Sequence, residues 1–152
     1  MNAQGVSIFE PGMGIISIWI VPSSFGEEVD KITDGNINTK YLDFELADRM
    51  GFIVDLGTLS AIATYIKITT TNDFPERGPI GFVVSGSTND TNFTVIDTGS
   101  ISMCHRSIRT RLYENTNAYG FYRVNLTATC NPSGGIGIQI IQLAEIQLYE
   151  AE

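Results

Sequence analysis

Histidine occurs once in this chain, cysteine twice and tryptophan once, and Lys and Arg together number nine among 152 residues. Each shortage closes a class of function. His105 stands alone, no Ser-His-Asp order is convincing, and there is neither a nucleophile elbow nor a phosphate-binding glycine loop. Asp43 and Glu45, a pair of carboxylates on one strand face, read as solvated charge rather than glycosidase chemistry. The sequence therefore predicts no enzyme. Cys104 and Cys130 fix no disulfide framework, and with His105 they lack zinc-ligand spacing. Whether the two thiols pair stays open. Seventeen acidic residues outweigh the basic ones to a net charge of −8, the wrong sign for a phosphate-binding face. The Arg106, Arg109 and Arg111 triplet reads as a solvated strand, so no nucleic-acid partner is expected. The apolar run Ile15 to Val21 is too short to span a bilayer and lacks a basic flank. No membrane insertion follows from it, and no signal peptide is visible.

What the chain does have is apolar content, 43% against 17% charged, which argues for a packed globule. The length suits one domain. Short alternating runs recur between turn signals. Phe52, Val54 and Leu56 share a face between two glycines, and Ile66 and Ile68 follow in the next run. Thr70 to Pro79 is a long polar loop with two prolines. Gly81–Ser85 is a strand stopped by the turn cluster Gly86–Asp90. Further strands are expected at Phe93–Asp97, Ser107–Tyr113 and Tyr119–Leu126, the last with Tyr122, Val124 and Leu126 together. The run from Ile136 to Tyr149 is the longest, with Ala144, Ile146 and Leu148 on one face. Without βα alternation this is an all-β antiparallel sandwich of about eight strands. Residues 1–21 read as an N-terminal arm and first strand, and residues 22–152 as the sandwich domain.

Two stretches carry the chemistry. Lys31-Ile-Thr-Asp34-Gly-Asn36-Ile-Asn-Thr39 has the composition of a tight, oxygen-lined turn, in which Gly35 permits an unusual φ. Leu143-Ala144-Glu145-Ile146 places one carboxylate inside an alternating strand, where an unpartnered charge is costly. Brought together, they supply oxygens in the mixture that a hard cation such as Ca²⁺ requires. The plainer alternative is a simple Asp-Gly turn with Glu145 salt-bridged or exposed.

The order of several motifs resembles the galactose-binding-like jelly roll, the superfamily of discoidin domains, coagulation-factor type C domains and family 32 carbohydrate-binding modules. The motifs are Asp34-Gly-Asn36 with Thr39-Lys-Tyr, Ile53-Val-Asp-Leu-Gly57, Asn72-Asp-Phe-Pro-Glu-Arg77 leading into Val84-Ser-Gly-Ser87, and the closing Ala144-Glu-Ile-Gln-Leu-Tyr149. The match spans roughly Pro22 to Tyr149. The resemblance implies a jelly-roll sandwich and one structural Ca²⁺. It implies as ligands Lys31 and Asn36 by their carbonyls and Asp34 by its carboxylate. Thr39 would give hydroxyl and carbonyl, Ala144 its carbonyl and Glu145 its carboxylate. For ligand binding it points to the loop carrying Asn72, Asp73, Glu76 and Arg77. That loop departs from the family's usual Arg-to-Asn spacing, and an internal ion pair explains Glu76-Arg77 as well. Trp19 and Tyr41 are stacking candidates, although Trp19 in its apolar strand reads first as core.

The function expected is a non-enzymatic, Ca²⁺-stabilised recognition module for a glycan or another cell-surface ligand. Its place would be extracellular, or on a virion or cell surface. The alternative is a structural or assembly protein, such as a virion decoration or adhesin subunit on the same jelly roll, working as a homo-oligomer or in a larger assembly.

Overall fold

The structure is a computed structural model and describes residues 6–8, 15–17, 29–43, 50–71, 73, 78–100, 108–112, 114–129 and 141–150. Alternation decides the architecture. Phe52 and Val54 of β4 (Met50–Asp55) face Tyr122, Val124 and Leu126 of β9 (Phe121–Thr129), and all five are at most 1% exposed. Ile66 and Ile68 of β5 (Ala63–Thr69) pair with Leu148 and Ile146 of β11 (Glu145–Glu150), equally buried. A one-residue slip in any of these registers would turn its apolar set to water, so the pattern fixes the pairing.

The pairs assemble into two main antiparallel sheets. A four-stranded sheet runs β1 (Val6–Ser7), β11, β5, β8 (Ile108–Leu112). A five-stranded sheet runs β2 (Ile15–Ser17), β4, β9, β6 (Pro79–Ser87), β7 (Thr94–Ser100). The apolar faces of both meet in one core, capped by Ile32 from a 3₁₀ helix at Val29–Thr33. This is the sandwich that the alternation predicts. Two short strands, β1 and β2, tie the N-terminal stretch to β11 and β4.

The closing run differs from the expectation of one long strand. It is split at Ala144 into β10 (Ile141–Leu143), which forms a ribbon with β3 (Tyr41–Asp43), and β11, which joins the four-stranded sheet. The split matters for function. It brings the end of the 31–39 turn, through Tyr41, against the start of the last strand, because Leu143 pairs with Tyr41. Trp19, Cys104, His105, Arg106, Cys130 and Glu45 lie outside the described residues.

Candidate functional site

Glu145 stands on the opposite face of β11 from Ile146, yet it is only 4% exposed. The 31–39 segment folds across it and supplies its cover. Gly35 takes φ +76°, the left-handed region that glycine enters freely. That turn aims two successive amides at one oxygen. Gly35 N–H and Asn36 N–H donate to Glu145 Oε1 at 2.7 and 3.2 Å. On the other side of the turn, Asp34 Oδ1 accepts the Asn36 N–H at 2.9 Å and Oδ2 accepts the Thr39 hydroxyl at 2.6 Å. The Asn36 carbonyl accepts from Thr39, N–H at 3.2 Å and Oγ1 at 2.8 Å.

Asp34, Asn36, Thr39 and Glu145 thus form one bonded cluster. Lys31, in the 3₁₀ helix, and Ala144, beside Glu145, sit on the two segments it joins. Ala144 is itself buried and donates its N–H to the Thr69 carbonyl at 2.9 Å. Glu145 Oε2 is buried and finds no hydrogen-bond partner among the described residues. Burial pushes the Glu145 carboxyl up to about 8. The neighbouring Asp34 adds to this, because a protonated Glu145 can donate to it, while the two amides pull the other way. Such an oxygen gains a partner by taking up a proton or by meeting a cation. Among the described residues no group of three His, Cys, Asp or Glu side chains is gathered. An ion here would draw its remaining ligands from carbonyl and hydroxyl oxygens, the donor set of a hard cation. The Thr33 hydroxyl, also buried without a partner among the described residues, lies one residue before Asp34.

Of the candidate ligand residues, Asn72, Glu76 and Arg77 lie outside the described residues, and Asp73 is described. Both carboxylate oxygens of Asp73 already have protein donors. Lys40 Nζ reaches Oδ2 at 2.9 Å, and Gln142 Nε2 reaches Oδ1 at 2.5 Å. Gln142 Nε2 also approaches Thr71 Oγ1 at 2.5 Å and the Asp73 carbonyl at 3.1 Å, and the Thr71 hydroxyl donates to that carbonyl at 2.9 Å. Burial would raise the Asp73 carboxyl, but Lys40, with Thr71 and Gln142, outweighs it and holds the group below its ordinary value. Lys40, Thr71 and Gln142 are not among the sequence-predicted site residues. Gln142 left a signal: it shares the parity of Ala144 and Ile146, so an amide was bound for the buried face, where it must find partners.

The fold has relatives among solved structures. No family model matches the chain, and no curated protein matches its sequence. A family 32 carbohydrate-binding module from a Clostridium perfringens family 31 glycoside hydrolase superposes with TM-score 0.72 at 14% identity, covering 91% of each chain. A second C. perfringens family 32 module, solved with galactose, gives 0.67 at 16%, covering 90% of this chain and 91% of that one. A chitosan-binding module from a Paenibacillus chitosanase/glucanase gives 0.66 at 18%, covering 95% and 98%. At these identities the likeness establishes the fold alone, a jelly-roll β-sandwich like that of these modules.

Proposed function

We propose that this chain is a non-enzymatic glycan-recognition module whose loop end is braced by one structural Ca²⁺. The observation that carries the reading is end-to-end likeness. The chain aligns over nine-tenths or more of its length with modules solved with galactose or described as chitosan-binding. The partner proposed is therefore a glycan, met outside the cell or at a cell surface.

The calcium reading rests on the corner. Asp34 and Glu145 would supply carboxylate oxygens, the orphaned Oε2 among them. The carbonyls of Lys31, Asn36 and Ala144 and the oxygens of Thr39 would complete a set of about six or seven, the number that Ca²⁺ takes. The Thr39 hydroxyl now donates toward Asp34 and Asn36. Rotating that one hydrogen away would turn its lone pairs to an ion without moving the backbone. The ion would neutralise two adjacent carboxylates and fasten the turn to β11, which is a stabilising role.

Asn72, Glu76 and Arg77 are the proposed glycan readers. Arg77 is the best single test, because a planar guanidinium offers paired donors to hydroxyls. Affinity electrophoresis through gels holding galactan or chitosan checks the claim. The parent should be retarded by at least one polysaccharide, and Arg77→Ala should migrate freely with its Tm nearly unchanged. Free migration of a folded parent in every gel of a broad polysaccharide panel would remove the glycan reading.

A further inference from the structure

The calcium corner and the loop leaving β5 are joined by two short bridges that meet on one carboxylate. The first is Lys40, the residue after the proposed ligand Thr39, whose ammonium holds Asp73 Oδ2 at 2.9 Å. The second is Gln142, two residues before the proposed ligand Ala144, whose amide holds Asp73 Oδ1 at 2.5 Å. Neither bridge hangs from a free strand end. Lys40 leads into β3 and Gln142 belongs to β10, and these strands pair directly, Gln142 opposite Leu42 and Leu143 opposite Tyr41. Gln142 is 1% exposed and also grips Thr71, so the amide is built into the fold.

We propose that Lys40 and Gln142 form a clamp on Asp73 through which calcium at the Asp34–Glu145 corner sets the position of the segment following β5. Asp73 is then a positioning carboxylate for the glycan loop and not a reader of sugar, since both its oxygens are already engaged. The inference rests on the calcium reading above and extends it from stability to ligand binding. An ion drawing Thr39, Ala144 and Glu145 to one centre fixes the spacing of β3 and β10, and with it the spacing of the two donors. When the corner lacks the ion, Thr39, Ala144 and Glu145 share no common centre, and the two donors lose their common reference. Coupling of this kind is reciprocal: loosening the clamp must weaken calcium binding by the factor that calcium tightens the loop.

Amide hydrogen exchange across residues 70–73, with calcium and with chelator, tests the clamp when paired with calcium calorimetry. In the parent, calcium should slow exchange of these amides by roughly fivefold or more, the low end of ordinary coupling. In Lys40→Met and Gln142→Met that difference should vanish, while calcium still binds about fivefold more weakly. Gln142 is buried and its variant could unfold, so Lys40→Met, altered at the half-exposed end of the clamp, is the deciding protein. Equal calcium protection in Lys40→Met and the parent overturns the clamp. So does calcium binding to the parent without any change at residues 70–73. A parent that takes no calcium at all overturns the calcium reading and the clamp together, whereas glycan retention alone leaves both results interpretable.

Discussion

Glu145 is the residue on which most of the chemistry turns, and its behaviour with pH is predictable in sign. Its carboxyl ordinarily titrates at 4.5 and is raised to about 8 in the fold. Between those values the native chain holds a proton that the unfolded chain has released, so stability falls as pH rises. The contribution is complete below 4.5 and is lost by about 8. With chelator present, Tm should therefore decline across this window. Saturating calcium should abolish or reverse the decline, because the ion takes the proton's place and binds more tightly as the proton leaves. Glu145→Gln should flatten the profile in chelator and remove the response to calcium. Scanning calorimetry at several pH values checks both; a parent profile in chelator that rises toward pH 8 contradicts the assignment. Asp34→Ala should likewise make Tm the same in calcium and in chelator.

Among the elements, the strands were legible from residues two apart, and the partners of the last two were not. Phe52, Val54, Ile66, Ile68, Val124, Ile146 and Leu148 are all buried, and for Ile66, Ile68, Val124, Ile146 and Leu148 the intervening Lys67, Arg123, Asn125, Glu145 and Gln147 mark the parity. The apolar parity passes from Ile141 and Leu143 to Ile146 and Leu148 across Ala144, which marks a break but not which strand each half pairs with. The change is decided by pairing with β3 on one side and β5 on the other. Close approach was equally hidden. Gly86, expected from its neighbours to open a turn, lies within β6 with the Tyr119 ring against it, and a side chain there would overlap that ring. Tyr119 is in turn fixed edge-on to Tyr122, centroids 5.9 Å apart. Gly86→Ala should therefore destabilise the domain by about 1–3 kcal/mol, the usual cost of overpacking. Phe52→Ala should cost more, about 3–5 kcal/mol. Urea unfolding measures both, and a Gly86→Ala midpoint equal to the parent's would mean that Tyr119 can move aside.

For the whole molecule, the cluster of Asp34, Asn36, Thr39 and Glu145 was legible because its residues fall in two compact, chemically unusual stretches, one of them a charge in an apolar strand. The clamp was not visible. Lys40, Thr71, Asp73 and Gln142 are ordinary residues from three separate segments, and only the β3–β10 ribbon brings them together. On the proposed reading the ion would hold the corner and the clamp would hold Asp73. The central claim, that this jelly roll is a calcium-braced glycan module, is tested most directly by a glycan array probed with the same protein in calcium and in chelator. The account predicts retention of a defined set of glycans in calcium and weaker retention of that same set in chelator. A folded protein that binds calcium in solution yet retains no glycan in either condition would contradict it.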